Sequence, residues 1–280
     1  MSWQLADPAD RFRGRGYEVT PIGFAAARDF IAEHHYLKSI GADVKRYGLR
    51  RRGELVGVAV YGIPSNPRVI TNWLPDLAPV PRGDGTYHWP ALSLQRLSLV
   101  DLVGGNGESW FVARCRELLT ADGVFATVTF ADPMALWAAD GRLVFRGHAG
   151  ILYQGDNWTY CGLATARPVL ITPQGDRLDE RRLQKIRKQE PGHQAAERFL
   201  TSLGAEPIRS GEPPAAYLHR ALNAIGVRRV AHTGCHRYVR PHRRDVAVVH
   251  RGRRIRRDPR AYPKPSDDLF TAMRVSHTSA

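Results

Sequence analysis

The chain has 280 residues, which is long enough for one sizeable hydrophobic core with or without an appended segment. It carries 41 lysines and arginines against 27 aspartates and glutamates, and this net charge of +14 favours a nucleic-acid partner over a basic surface that binds nothing. Its three scattered cysteines exclude a disulfide framework or a paired-cysteine zinc site, and no apolar run approaches the roughly 20 residues that span a bilayer, so we expect a soluble cytoplasmic protein without a membrane partner.

The first ninety residues predict strands around one helix. Alternating or β-branched runs favour strands, whereas apolar spacing of three and four residues with several alanines favours an amphipathic helix. A charged turn with glycine, here Arg52-Gly53, is typical of a hairpin. The predicted elements are strands at residues 17–21, 46–51 and 54–61, a helix at residues 24–37 and a proline-rich loop at residues 64–85.

The segment from residue 91 to 163 predicts a strand, a glycine-rich loop, a helix and further strands. A glycine turn that leads into a helix N-terminus points several backbone N–H groups at one anion, so this order is suited to binding a phosphate. The predicted elements are strands at residues 91–100, 124–130, 150–154 and 158–163 and a helix at residues 109–120.

The element order predicts an α/β fold with a mixed central sheet flanked by helices, as in acetyltransferases of the GNAT class. Two charged helices are predicted beyond Pro173, at residues 179–189 and 214–224. We divide the chain into a polar lead, a catalytic domain whose residues 220–250 face DNA, and an arginine- and proline-rich tail that we expect to be disordered. These parts cover residues 1–16, 17–250 and 251–280.

The glycine-rich loop is a candidate cofactor site. Glycines let the backbone approach a ligand closely, and Ser109 is a candidate N-cap of the following helix. The loop lacks the Walker lysine and the full GxGxxG spacing, so a simple tight connection is an equal alternative. The candidate residues are Gly104, Gly105, Asn106, Gly107, Glu108 and Ser109.

Four further side chains are candidates for catalysis and for binding a metal. His35 and Tyr36 end the first predicted helix, Asp132 follows a predicted buried strand, and Tyr153 lies in a predicted strand. Singly, each is typical of ordinary packing or of a turn. Together, an imidazole, a carboxylate and one or two phenols form a hard N/O ligand set suited to iron.

The C-terminal third favours contact with DNA. The segment His232-Thr-Gly-Cys-His236 lacks the second cysteine and the regular spacing of a zinc site, so we interpret it as a strand or loop that faces nucleic acid. Between Arg220 and Arg260 there are only two acids, and such arginine density indicates phosphate contact. The candidate DNA-contacting residues are His236, Arg237, Tyr238, Arg240, Arg243 and Arg244.

Several motifs between residues 24 and 240 match one known pattern. They are His35-Tyr36, Gly-Asn-Gly-Glu-Ser-Trp at residues 105–110, Thr129-Phe-Ala-Asp-Pro133, the block Gly147–Tyr160 with its Tyr153-Gln154, and His236-Arg-Tyr-Val239. With these motifs the chain resembles the Mom family of DNA-modification proteins from Mu-like phages. An insertion at residues 134–145 and the long arginine tail depart from the family pattern.

The resemblance implies an acetyltransferase-like enzyme that acts on double-stranded DNA. It would convert the exocyclic amine of adenine to a methylcarbamoyl (acetamido) form and so protect phage DNA against restriction. His35, Tyr36, Asp132 and Tyr153 would form the active site with iron. The gene would then belong to a phage or prophage and act in the bacterial cytoplasm.

Two alternatives stay open, because one fold hosts many functions. The first is an N-acyltransferase that uses acyl-CoA and no metal and acts on a small amine, a protein or RNA. The second is a noncatalytic basic DNA-binding protein. The sequence leaves the donor and the oligomeric state open, with a homodimer as one candidate state.

Overall fold

The computed structural model describes residue 12, residues 14–41 and residues 43–264. Its strands are β1 (Tyr17–Pro21), β2 (Lys45–Arg51), β3 (Glu54–Gly62), β4 (Val80–Pro81), β5 (Tyr87–His88), β6 (Ala91–Leu99), β7 (Ala126–Ala131), β8 (Leu136–Trp137), β9 (Leu143–Phe145), β10 (Thr159–Leu163), β11 (Val169–Ile171), β12 (Arg228–Val230), β13 (His236–Pro241), β14 (Val249–His250) and β15 (Arg253–Arg254). Its α-helices are α1 (Phe24–His34), α2 (Arg68–Thr71), α3 (Gly107–Ala121), α4 (Ile151–Gly155), α5 (Glu180–Lys188), α6 (His193–Ser202) and α7 (Pro214–Ile225). None of these helices is long and apolar enough to cross a membrane.

The described residues form two compact units. Unit 1 contains the described residues up to Asp132, His148–Ala164 and the described residues from Cys235 onwards. Unit 2 contains Pro133–Gly147 and Thr165–Gly234. The predicted catalytic domain, residues 17–250, therefore includes residues of both units.

A seven-stranded mixed sheet forms the centre of unit 1. The strand order is β1-β2-β3-β6-β7-β13-β10, with β6 and β7 parallel and the other neighbours antiparallel. Alternate residues of β3 face opposite sides, because successive side chains of a strand alternate. Val58 and Val60 pack with α1, whereas Tyr61 packs in the cluster that contains Phe111 of α3. The predicted α/β fold with a mixed sheet flanked by helices is confirmed.

A gap opens between the two parallel strands. β6 pairs with β7 only over Ala91–Ser93, opposite Ala126–Val128. Further along, β6 pairs with β3 alone and β7 with β13 alone. The gap therefore opens toward the carboxyl ends of both strands, which is the edge where α/β sheets place ligands.

Unit 2 combines two short antiparallel strand pairs with three helices. β8 pairs with β9, and β11 pairs with β12. The insertion at residues 134–145 contains the β8–β9 hairpin. Helices α5, α6 and α7 share one apolar cluster around Leu183, Leu200 and Tyr217. The sequence indicated α5 and α7 but not α6.

Residues 150–154 were expected as a strand, and this prediction is wrong. Gly150 adopts φ +78° and its carbonyl accepts the N–H groups of Tyr153 and Gln154, so residues 151–155 form α4. The apolar run is too short for its periodicity to separate a strand from a helix. Ser109 is likewise not the N-cap of α3, since Asn106 takes that position at φ +70°.

The first part of the predicted tail contains secondary structure that the sequence did not predict. Residues 251–264 contain β15 and a 3-10 helix at Pro259–Ala261. The Tyr262 hydroxyl donates to the Trp158 carbonyl at 2.6 Å. The rest of the predicted tail, residues 265–280, lies outside the described residues.

Candidate functional site

His35 lies where α1 ends and offers one ring N–H. Its backbone N–H donates to the Ile31 carbonyl at 3.0 Å, and its ring stacks on Tyr36 with centroids 4.7 Å apart. Burial, followed by the charges of Arg96 and His148, lowers the pKa of His35 to about 3, so the ring is neutral. Nδ1 accepts the Leu37 N–H at 3.1 Å, which leaves the ring proton on Nε2. Among the described residues, none accepts a hydrogen bond from this Nε2.

Asp132 and His148 lie together beyond the end of β7. Asp132 is 3% exposed, and its backbone carbonyl accepts the His148 N–H at 2.7 Å. Burial lowers the pKa of His148, while the nearby Asp132 carboxylate acts in the opposite direction and His236 lowers it further. Cys235 places Sγ within 4.8 Å of an Asp132 carboxylate oxygen. The structure therefore groups His35, His148 and Asp132.

Sequence reasoning missed His148. It stands in the Gly147–Tyr160 block that carried the resemblance, directly after a glycine, but no spacing connected it with Asp132. The contact arises from the backbone hydrogen bond between residues 16 positions apart, which no local pattern reveals.

Tyr153 lies at the point where the gap opens. Leu94 and Thr129 are the first residues of β6 and β7 beyond the paired stretch, and Thr129 Oγ1 donates to the Leu94 carbonyl at 3.2 Å. The Tyr153 hydroxyl is 3.4 Å from the same Oγ1. Burial raises the pKa of Tyr153 to about 12, so its hydroxyl keeps a proton at neutral pH.

Helix α4, which carries Tyr153, is fixed by polar contacts at its end. Asp156 accepts from Arg116 of α3 at 2.6 Å and from the Trp158 indole at 2.8 Å. Both side chains of the ion pair are largely buried, and the Trp158 ring packs 5.1 Å from the Tyr153 ring. This ion pair between Arg116 of α3 and Asp156 at the end of α4 fixes the position of α4 relative to α3.

The glycine-rich loop presents fewer amides than its sequence indicates. The Gly107 N–H donates to the Gly104 carbonyl at 3.0 Å and is therefore engaged. The first intrahelical bond runs from Trp110 to Asn106, so the amides of Glu108 and Ser109 have no carbonyl partner among the described residues. Two N–H groups at a helix N-terminus can bind one anionic oxygen pair. Burial raises the pKa of the Glu108 carboxyl.

The model of the Mom protein family matches residues 16–264. The chain belongs to the Mom protein family. Among curated proteins, no sequence matches it. Family membership and the mixed sheet support a DNA-modifying or acyltransferase-like role.

Solved structures similar to this Mom-family chain include a tandem GNAT protein and two N-acetyltransferases. A tandem GNAT protein from the clavulanic acid biosynthesis pathway shares 9% identity over 56% of this chain and 48% of that chain, with a TM-score of 0.34. An N-acetyltransferase from Staphylococcus aureus Mu50 shares 13% identity over 58% of this chain and 91% of that chain, with a TM-score of 0.33. The ribosomal-protein-S18-alanine N-acetyltransferase from Escherichia coli shares 11% identity over 57% of this chain and 88% of that chain, also with a TM-score of 0.33. The chain spans about half the length of the tandem protein, and none of these similarities bears on its substrate.

The four predicted iron ligands, as arranged, do not fit one metal ion. A histidine that ligates a metal donates its other ring N–H to a neighbour, whereas Nδ1 of His35 accepts a backbone N–H. Ligation through Nε2 would require the other tautomer. The Tyr153 hydroxyl has Thr129 Oγ1 as its hydrogen-bond partner at 3.4 Å.

Two of the predicted DNA-contacting residues pack against other side chains. Tyr238 is fully buried, and its hydroxyl donates to the Ala149 carbonyl at 2.5 Å, so in this structure it offers no surface to DNA. The Arg237 guanidinium packs over the rings of Trp73 and Phe130, at 4.8 and 5.6 Å from their centroids. Burial lowers the pKa of Arg237 because desolvation disfavours the charged form.

The other predicted DNA-contacting residues are partly or fully exposed. Their contacts are His236 Nδ1 to the Tyr160 hydroxyl at 3.1 Å, Arg240 to the Asn157 carbonyl at 2.9 Å, and Arg243 to Asp245 at 2.5 Å. Arg244 is exposed and makes no ion pair with a described residue. The accessible cations of this set are therefore Arg243 and Arg244, the first with its charge already paired.

Proposed function

We propose that this Mom-family protein converts the exocyclic amine of adenine in double-stranded DNA to a methylcarbamoyl (acetamido) derivative, which protects phage DNA against restriction. The observation that carries the proposal is the gap between β6 and β7. A buried carboxylate, Asp132, follows one strand, and a protonated phenol, Tyr153, lies at the point where the gap opens. Family membership supports DNA as the substrate.

The proposed reaction starts with the target adenine rotated out of the base stack into the gap, at a cost of a few kcal/mol. A bond then forms between the adenine N6 and a carbon of the donor, one proton leaves N6, and the leaving group departs with the electron pair. Asp132 is the proposed acceptor of that proton, and the neutral His35 donates its Nε2–H to a polar atom of the base or donor. The amides of Glu108 and Ser109 would hold an anionic group of the donor.

The glycine-rich loop also favours an acyl-CoA-dependent N-acyltransferase as a second candidate. Coenzyme A carries phosphates, and a helix N-terminus with unengaged amides is suited to them. This alternative would be supported by tight binding of coenzyme A and by an acylated amine, protein or RNA in place of modified DNA. It predicts the same importance for the loop but no new nucleoside.

The test is mass spectrometry of nucleosides from plasmid DNA isolated from cells that express the protein. Asp132→Asn keeps the shape of the side chain, and losing a proton acceptor is expected to lower the modified fraction by about 10²–10⁴-fold. Asp122→Asn is the matched control, because Asp122 is an exposed partner of Lys45 at 2.7 Å. A new adenine species of acetamido mass should be present with the wild type and the control. Unmodified adenine with folded wild-type protein would overturn the proposal.

A further inference from the structure

A short basic hairpin projects from unit 1 and has no role in the reaction proposed above. β14 and β15 pair through Val249–Arg254 and His250–Arg253. The turn between them, Arg251-Gly252, has φ +50° and +74°, which is the geometry of a tight two-residue turn. Between Asp245 and Asp258 the sequence contains no acid.

The hairpin is anchored on the sheet by its first strand. The His250 ring stacks on Trp73 at 4.1 Å with an angle of 6° between the planes. The Val249 N–H donates to the Trp73 carbonyl at 2.9 Å, and the Ile255 N–H donates to the Val248 carbonyl at 2.8 Å. Val248 is buried. The hairpin therefore has a fixed base and an exposed tip.

The arginines of the tip are exposed and uncompensated. Arg251, Arg253, Arg254 and the following Arg256 are all exposed. None of them makes an ion pair or a side-chain hydrogen bond with a described residue, whereas the neighbouring Arg243 and Arg260 are paired with aspartates. A cluster of unpaired cations on a rigid, narrow element has the chemistry and shape that bind a phosphate backbone from within a groove.

We infer that the β14–β15 hairpin enters the major groove of double-stranded DNA beside the target adenine, with Arg251, Arg253 and Arg254 on phosphates and base edges. The major groove admits a two-stranded ribbon, and the N6 group of adenine faces it. This inference rests on the proposed function for its substrate. It assigns to the hairpin the positioning of the duplex, which the gap residues do not provide.

The test is the affinity of the full chain for a fluorescein-labelled duplex, measured by anisotropy over a series of salt concentrations. The variant is Arg251→Asn with Arg253→Gln and Arg254→Gln, since asparagine tolerates the positive φ of residue 251. Each lost phosphate contact lowers the magnitude of the slope of log K against log salt by about 0.9, so we expect a decrease of roughly 2–3 and at least about tenfold weaker binding. The single variants Arg253→Gln and Arg254→Gln should each lower the magnitude of this slope by about 1.

The chain offers a closely matched control hairpin. Arg52-Gly53 between β2 and β3 has φ +50° and +85°, the same turn geometry. The triple variant Arg50→Gln, Arg51→Gln and Arg52→Asn removes the same charge from this turn and should leave the slope and the affinity nearly unchanged. An equal loss in both triple variants would show general electrostatic attraction and overturn the inference.

A second duplex distinguishes the groove, and a second readout separates the two proposals. Bulky substituents at C5 of cytosine fill the major groove and should weaken wild-type binding but have little effect on the hairpin variant. Unchanged wild-type binding would overturn the inference. If wild-type protein modifies DNA while the hairpin variant binds as wild type, the inference fails and the proposed function stands. If binding depends on the hairpin but no nucleoside is modified, the proposed function fails and the inference about the hairpin stands.

Discussion

Replacing Tyr238 by phenylalanine tests whether the arginine-rich strand β13 turns its aromatic residue toward DNA or into the core. The hydroxyl donates to the Ala149 carbonyl at 2.5 Å and accepts from Gln154 Nε2 at 3.1 Å. Without it, the Ala149 carbonyl still accepts from Gln154 at 3.2 Å, and Gln154 still donates to the Pro263 carbonyl at 2.9 Å. No buried group is left unsatisfied, so the cost is that of the hydrogen bonds alone, about 1–1.5 kcal/mol.

The assay is urea unfolding followed by duplex binding with the same preparation. We expect Tyr238→Phe to lower the free energy of unfolding by about 1–1.5 kcal/mol, and Tm by a few degrees, with DNA affinity unchanged. Tyr87→Phe is the control, because Tyr87 is 58% exposed and its hydroxyl bonds no described residue. Unchanged stability together with about tenfold weaker DNA binding would refute the placement of Tyr238 in the core.

Three further predictions concern the surroundings of α1 and α4. Burial lowers the pKa of His35 to about 3, so between about pH 6.5 and 4 only the unfolded chain binds a proton at this residue. The free energy of unfolding should therefore decrease as the pH is lowered through this range. Urea titrations should show a smaller decrease in His35→Gln. Gly150→Ala places a Cβ 2.7 Å from the Tyr238 ring at a positive φ and should lower the free energy of unfolding by about 2–4 kcal/mol. Gly162→Ala has a positive φ but open space around the Cβ, and should lower it by about 1–2 kcal/mol. Equal losses of stability in thermal unfolding would refute the clash at Gly150. Tyr262→Phe removes a hydrogen bond to Trp158 and should speed hydrogen exchange in α4, which an unchanged exchange rate would contradict.

The sequence predicted the strands and long helices of the sheet well, because their patterns are local. β1 was predicted with its observed bounds, and β6 and α3 were placed within two residues at each end. The environment of β13 was not predictable in the same way. Its alternation of arginine, tyrosine and valine fits a half-exposed strand, but Arg237 packs on Trp73 and Phe130, which come from distant parts of the sequence. Only the tertiary fold brings those rings together.

The sequence named some residues of the candidate site but missed His148 and gave no arrangement. The sequence identified Asp132 and Tyr153, yet it placed Tyr153 in a strand, and it gave no reason to pair Asp132 with His148. The tautomer of His35 depends on one backbone N–H two residues away, which becomes an available donor only when α1 ends at His34. The protonation of the His35 ring nitrogens could therefore be assigned only once the end of α1 was known.

Charge composition did not reveal the contacts of the first part of the tail. Eight of the 14 residues 251–264 are arginine or proline, but the Tyr262 hydroxyl donates to the Trp158 carbonyl and the Pro263 carbonyl accepts from Gln154 of α4. The same segment therefore begins at the basic hairpin and ends on the helix that carries Tyr153. Residues 255–261 therefore join the basic hairpin directly to the contacts that Tyr262 and Pro263 make beside α4.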